Sequence, residues 1–322
     1  MKKNNIDKQT VFTPAFRRTC IGGCCLYMAA YLSVTGVLLA MGTEAWKAGL
    51  AFVAGMFVSG PFNAYLGDAY RRKHVFVVAL LGMAVAIAGY IYWADALLWP
   101  VLAAVQGMCF GLASAAGVTV SIDITVSGNR TRGNEVYALL GRIGMFTGML
   151  LAFWLYRQEG LEEVLYLSLA FGLLGALEVA RVYLPFRAPI GVGIVNLDRF
   201  LLPRALVSAF SVLLLAGACG MTIVRMQEAL PWYACAGLCV LGLLFVAPLV
   251  KMFVKLSHHC QRGTGNTTFN LAADTGLVAG MALALWAGKD ILTCGWLSGV
   301  WLLALLVAGL VAYPYYKKKR VR

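Results

Sequence analysis

The sequence predicts an all-α protein that crosses a membrane about ten times. Hydrophobic residues make up 61% of its 322 positions and charged residues only 13%, whereas a soluble domain is about half apolar and a quarter charged. Lys and Arg are concentrated in alternate connecting segments and at the termini. This alternation is typical of the positive-inside distribution of membrane proteins.

Runs of about 20 apolar residues mark the membrane-spanning helices. The start of the chain, before the first such run, is polar and basic and does not resemble a cleavable signal peptide. An even number of helices between two basic termini predicts that both termini are cytoplasmic. The predicted helices lie near 20–42, 48–68, 74–93, 97–122, 135–156, 163–184, 205–226, 231–256, 265–287 and 290–315.

The Pro and Gly content of the longest internal loop marks it as a linker between two bundles. The linker follows the sixth helix, so that six helices precede it and four follow it. We expect five segments: a cytoplasmic tail 1–19, a six-helix N-terminal bundle 20–184, a cytoplasmic linker 185–204, a shortened four-helix C-terminal bundle 205–315 and a basic tail 316–322.

An internal repeat carries most of the functional information. The segment Arg130-Thr131-Arg132-Gly133-Asn134 recurs 132 residues later as Arg262-Gly263-Thr264-Gly265-Asn266, and the register holds through the following helix. Membrane proteins built from such repeats are most often secondary transporters. The copies are four helices apart, whereas equal six-helix halves would place them six apart. The second half therefore appears as a six-helix repeat that lacks its second and third members.

Two charges occupy equivalent positions in the copies. Arg142 and Asp274 each lie eight residues past the repeated Asn, about 12 Å deeper along the helix. A charge at that depth costs roughly 2.5–3.5 kcal/mol on insertion scales, and such residues usually face a bundle interior or a wet cavity. We expect Arg142 to anchor an anion or substrate and Asp274 to bind a proton or cation. The alternative is an internal ion pair that locks helices together.

Two uncharged side chains complete the set of substrate or ion-coupling candidates. Gln106 carries an amide that is costly to bury without a partner, and Tyr31 is a polar group of the first helix. The chain has no Walker loop, H-E-x-x-H or G-x-S-x-G motif, so we expect neither an enzyme nor a cofactor. Adjacent residues such as His258, His259 and Cys260 are poorly placed to share a metal ion.

The loop between helices two and three, Gly60 to Lys73, resembles the signature of the major facilitator superfamily. Asp68, Arg72 and Lys73 match the acid and the basic pair of that signature, whereas Ala64 and Arg71 replace its two glycines. The stretch from Ile122 to Arg130 also resembles the end of that family's fourth helix. The resemblance implies a uniport-, symport- or antiport-type carrier of the bacterial inner membrane that works by alternating access. We expect transport of the solute to be coupled to an ion, with a proton as the expected coupling ion.

At this loop we expect Asp68 to act as a conformational latch across the interface between the halves. Asp123, at the end of helix four, is placed to join Asp68 and Arg72 in a charge relay. The alternative is that the basic residues only set topology and that Asp123 is a solvated acid at a helix end.

The expected partners are a small solute and the lipid bilayer. The net charge of +13 follows the membrane topology, which argues against nucleic acid. A second hypothesis is a degenerate, non-transporting protein of the same fold that serves as a binding or assembly partner. A third, a carrier with five plus five helices, would place the repeat copies five helices apart. A homodimer could cover the wall that the absent helices would leave open.

Overall fold

The computed structural model describes residues 12–93, 97–184, 191–229, 232–258, 261–291 and 294–320. The tail residues 1–11, the linker residues 185–190 and the connections at 94–96 and 230–231 lie outside these ranges, and so do His259 and Cys260. The described ranges contain helices and no strand. The α-helices are α1 (Pro14–Met41), α2 (Ala45–Ser59), α3 (Asn63–Ala69), α4 (Arg72–Tyr92), α5 (Trp99–Ile124), α6 (Arg130–Gln158), α7 (Leu161–Ala180), α8 (Leu206–Ala229), α9 (Trp232–Leu256), α10 (Arg262–Ile291), α11 (Cys294–Leu306) and α12 (Tyr313–Lys319).

The described helices provide the ten predicted crossings. Nine helical stretches of the described residues are long and apolar enough to span a membrane, and the first, Pro14–Ala69, is 56 residues long. At 1.5 Å per residue such a stretch would be about 84 Å long, far more than the ~30 Å of a hydrocarbon core. The chain reverses at Gly42, whose φ is 54°, and Gly49 then lies beside Leu38. The first stretch therefore crosses twice.

Local chemistry explains where the helix bounds differ from the prediction. Helix α1 begins at Pro14 rather than near residue 20, because the Thr13 side chain accepts a hydrogen bond from the Phe16 N–H at 3.2 Å and Pro suits the first helical position. The second predicted helix is interrupted by a 3₁₀ turn at Gly60–Phe62. Pro61, at the second position of that turn, has no N–H to donate to a continuous helix.

The two parts of the chain reuse one packing pattern. In the first part α1 packs against α6 and α7, with α2, α4 and α5 beside it; in the second part α8 packs against α10 and α11. Contacts between the parts are made by α2 with α10 and by α6 with α9. The packing of α8 against α10 therefore corresponds to the packing of α1 against α6.

Close helix contacts show this correspondence residue by residue. Gly144 of α6 lies so near the carbonyl oxygen of Cys24 that a Cβ would overlap it, and Gly276 of α10 lies the same way against Leu213. The shift between copies is 132 residues for Gly144 and Gly276 but 189 for Cys24 and Leu213. The shifts differ by 57 residues, about the length of two spans with their connections.

The end of α9 corresponds to the end of α5. Gly133 lies beside Thr125, and 132 residues later Gly265 lies beside Ser257. Each hydroxyl donates to the carbonyl oxygen four residues earlier, both at 2.7 Å. Helix α9 is thus equivalent to α5, which is the fourth membrane crossing of the first part. This supports the inference that the second part lacks the second and third crossings of the repeat.

The two ends of the bundle differ. We call the end where α4, α6 and α10 begin the basic end, because these helices start at Arg72, Arg130 and Arg262. At the far end α1 and α2 pack against α10. There Gly49 lies against Ala282, so the two parts are in contact at the far end.

Candidate functional site

A buried ion pair joins the two repeat helices. Arg142 of α6 and Asp274 of α10 interact through Nη1 and Oδ1, and their side chains are only 3% and 2% exposed. The hydroxyl of Tyr31 donates to the same carboxylate oxygen at 2.8 Å. The Nη2 of Arg142 donates to Asn270 Oδ1 at 3.0 Å. Both charges are therefore compensated by side chains of the protein.

Aromatic rings enclose the guanidinium group. Its Cζ lies 5.1 Å from the centre of the Tyr27 ring and 5.5 Å from that of Phe269, within the range of cation–π attraction. Tyr27 is held in turn by a hydrogen bond of 3.0 Å between its hydroxyl and that of Ser114. These contacts hold the guanidinium group of Arg142 between two aromatic rings.

Residues of one copy touch their own equivalents in the other copy. Asn266 donates from Nδ2 to the Oδ1 of Asn134 at 2.8 Å, and these residues are 132 positions apart, like Arg142 and Asp274. A residue contacts its own symmetry equivalent only where it lies close to the two-fold axis. An approximate two-fold axis therefore runs between α6 and α10, close to the ion pair.

Adjoining cavities lead from the ion pair to the basic end. A cavity of about 40 Å³ is lined by Asp274, Asn270 and Ser114. It shares Asn63 and Arg199 among its lining residues with a cavity of about 540 Å³ that extends to the helix ends at the basic end. Since the parts are packed together at the far end, the ion pair is approached from the basic end.

The described part of the linker lies over this approach. We call residues 191–202 the strap. The Asp68 carboxylate accepts hydrogen bonds from the backbone N–H groups of Gly191 at 2.8 Å and Val192 at 2.9 Å. Further along, the Phe200 ring packs so closely on Gly60 that a side chain there would overlap it. The strap then reaches α10, where the N–H of Leu202 donates to Thr268 at 3.0 Å.

The residues predicted as a latch divide into two groups. Arg72 and Asp123 form an ion pair of 2.5 Å, with side-chain exposures of 30% and 7%, as the charge relay requires. The Asp68 carboxylate accepts hydrogen bonds from the backbone of the strap in this conformation, whereas its expected contact across the interface between the halves belongs to the outward-open state. The roles of all three in gating stay predictions.

The structure brings together three of the four substrate or ion-coupling candidates. Tyr31, Arg142 and Asp274 form one cluster. Gln106 is fully buried elsewhere and donates to Ser33 at 2.7 Å, and it lines neither of the cavities above.

Sequence reasoning missed Asn270 as a member of the cluster. Asn270 precedes the predicted member Asp274 by four residues, a spacing that places two side chains on one helix face. This spacing was the available signal. Among the described residues no group of three or more His, Cys, Asp or Glu side chains is placed to hold a metal ion.

Comparisons with known proteins agree with this architecture. The family model described as Major Facilitator Superfamily matches residues 19–195, more than half of the chain. No curated protein matches the chain significantly in sequence.

Solved transporter structures share the fold at low sequence identity. A D-xylose–proton symporter aligns with a TM-score of 0.66 at 12% identity over 96% of this chain and 99% of its own. The human organic anion transporter MFSD10 aligns with a TM-score of 0.61 at 15% identity, over 91% and 99%. The nucleoside transporter NupG aligns with a TM-score of 0.55 at 12% identity, over 94% and 99%. The repeat architecture, the fold and the family match lead to one conclusion: this multi-pass membrane protein belongs to the major facilitator superfamily.

Proposed function

We propose that the protein is a secondary transporter that moves a small solute by alternating access, coupled to protons, with Arg142 and Asp274 at its central site. The observation that carries the proposal is the buried ion pair between α6 and α10, at the end of a cavity open in one direction. We place the protein in a bacterial inner membrane with the basic end and both termini in the cytoplasm, in keeping with the positive-inside rule.

The ion pair can exchange partners during a cycle. While Asp274 is ionised it holds Arg142, and no charge at the site is free to bind a ligand. When Asp274 takes up a proton its attraction for Arg142 is lost, and the guanidinium group, which stays charged, can bind an anionic or polar group of the solute. Proton and solute binding are thereby linked at one pair of side chains. The ion pair is formed in the empty site and broken in the site that holds both the proton and the solute.

The conformation described corresponds to an inward-facing state. The cavity of about 540 Å³ lies at the basic end, whereas at the far end Thr35 of α1 lies 4.0 Å from the sulfur of Met281 in α10. In the alternate state these far-end contacts would separate. A ligand drives that change only in proportion to its differential affinity for the two states.

Transport by purified protein in proteoliposomes tests the proposal. A panel of sugars, nucleosides, amino acids, organic anions and cations is added under an imposed pH gradient, and the internal pH is followed with a fluorescent dye. We expect proton movement that depends on one class of solute. Asp274→Asn should abolish proton movement while leaving solute exchange measurable, and Arg142→Gln should abolish both.

The exposed i, i+3 pair of Glu178 and Arg181, 3.3 Å apart, supplies the control. Glu178→Gln also removes the carboxylate of an ion pair, but one whose residues line none of the cavities, so transport should persist. If solute-driven proton movement in Asp274→Asn equals that of the parent protein, the coupling role of Asp274 is wrong.

A second candidate function is supported by the C-terminal region. Only 11% of the most apolar window of Trp296–Lys319 is buried, so this segment is hardly packed against the described remainder. A degenerate carrier retained as a binding or assembly partner would tolerate a C-terminal segment that is so little packed. A homodimer could cover the exposed surface of this segment. Crosslinking of a cysteine placed at Leu303, which is 55% exposed, reports dimers in the native membrane. Dimers without transport of any panel solute would favour this reading.

A further inference from the structure

A second cavity, lined by three arginines as well as by the apolar side chains of Ile122 and Val254, lies at the basic end. It has a volume of about 320 Å³ and is lined by Arg72, Arg130 and Arg262, together with Thr131 and Asn134. We call it the arginine cavity. Asn134 lies eight residues before Arg142 in α6, which is about 12 Å along the helix. The arginine cavity adjoins the approach cavity of about 540 Å³, with which it shares Arg72, Thr119 and Gly263, but the residues of the cluster around Asp274 do not line it.

Two of its three arginines have no acidic partner among the described residues. Arg72 forms an ion pair with Asp123, but neither Arg130 nor Arg262 forms one with any residue in the described ranges. The Nε of Arg130 is inaccessible to solvent and has no hydrogen-bond partner among the described residues. A buried charged donor without an acceptor is unfavourable, and an oxyanion in the cavity would supply the acceptor.

The neutral side chains of the cavity also have donors to offer. The Thr131 hydroxyl oxygen accepts from Arg262 Nη1 at 3.4 Å, so its own proton is available to another group. Asn134 uses its Oδ1 to accept from Asn266, which leaves its Nδ2 as the group that can donate. A guanidinium fork matches two oxygens of a phosphate or carboxylate. The cavity therefore presents donors from four side chains and excess positive charge.

The geometry points to a binding site for a phosphate-type dianion, free or as a small phosphomonoester, between Arg130 and Arg262. The two arginines are equivalent residues of the repeat, 132 positions apart, and each begins its helix, so the helix dipoles add to their charge. Two uncompensated positive charges suit a doubly charged ligand. The volume is near the lower end of the range for small-molecule sites, which favours a small anion. The site does not depend on the chain being a transporter.

Binding to the purified full-length protein in an uncharged detergent tests the site. Inorganic phosphate is titrated at pH 8, with sodium chloride at matched ionic strength as the reference, and the melting temperature is followed. Phosphate should raise it in a saturable way, because a ligand that binds only the folded state stabilises it. Arg130→Gln and Arg262→Gln should each weaken phosphate binding at least about tenfold, the scale of one charged hydrogen bond.

Arg204→Gln is the matched control, because Arg204 is exposed in the 3₁₀ turn Pro203–Ala205 that precedes α8 and does not line the cavity; binding should be unchanged. If a glutamine variant does not fold, Arg130→Lys and Arg262→Lys keep the charge but lose the fork, and we expect weaker, detectable binding.

A competition experiment identifies the source of the dianion. Vesicles containing phosphatidic acid that compete with phosphate would identify a lipid headgroup, and an absence of competition would identify a free anion; both outcomes support the site. The inference is overturned if phosphate stabilises no more than chloride, or if both glutamine variants bind phosphate like the parent.

Discussion

A double-mutant cycle at Arg142 and Asp274 separates their mutual attraction from their other contacts. Asp274→Asn leaves a guanidinium group in a site where the side chains are 3% and 2% exposed. Removing one partner of a buried ion pair typically costs about 3–5 kcal/mol. At roughly 2.1 cal/mol/K of unfolding entropy per residue, 322 residues convert this cost into a fall of about 4–7 °C in melting temperature.

The two single variants should not cost the same. After Arg142→Gln the remaining carboxyl of Asp274 can take up a proton and keep its hydrogen bond with Tyr31, whereas arginine cannot lose its charge. Asp274→Asn is therefore the more destabilising change. The double variant carries no unpaired charge and should melt above Asp274→Asn alone.

The assay is thermal unfolding of all four proteins in one detergent, followed by tryptophan fluorescence. The exposed pair of Glu178 and Arg181 serves as the reference, because breaking a surface pair costs at most about 1 kcal/mol. A double variant whose loss equals the sum of the two single losses would refute the reasoning, since neighbours in one ion pair should show a coupling of about 0.5–3 kcal/mol.

Three further predictions concern packing and the strap. Gly276→Leu should lower the folded yield and melting temperature far more than Gly237→Leu, because a Cβ at Gly276 meets the backbone of α8 whereas Gly237 has open space beside it. Size-exclusion chromatography compares the folded yields of the two variants. Gly60→Val should displace the Phe200 ring and free the strap, so that limited trypsin cleavage after the exposed Arg199 is faster than in the parent; equal rates would contradict the docking. Gln106→Leu should change the free energy of unfolding by no more than about 1 kcal/mol. The variant loses the hydrogen bond to Ser33, but it also removes the buried Gln106 Oε1, which has no partner among the described residues. A large drop in melting temperature would contradict this prediction.

The repeat made the depth of the central charges predictable. Arg142 and Asp274 lie at the same position in helices that begin at equivalent residues, so a register read from the sequence places them at one level. It does not say whether they face each other, because that depends on where the axis between the copies runs. Their pairing was therefore one of two hypotheses before the structure.

The strap was not predictable from periodicity. Its docking depends on backbone N–H groups at Gly191 and Val192 and on one ring that fits over Gly60, and none of these repeats along the chain. Gln106 illustrates a related difficulty. A buried amide suggested a binding role, but its hydrogen bond to Ser33 depends on how α1 and α5 approach, which no local pattern reveals.

The position of the ion pair on the approximate axis bears on how such a chain arose. Asn134 and Asn266 are identical residues that hydrogen-bond to each other, as two copies of a half-length ancestor could in a symmetric dimer, because an amide both donates and accepts. Arg142 and Asp274 could not have formed their pair in that dimer. At a position that faces its own copy, a single ancestral residue would have met a like charge. Only after gene duplication could one copy become basic and the other acidic, so the central charge pair is younger than the duplication.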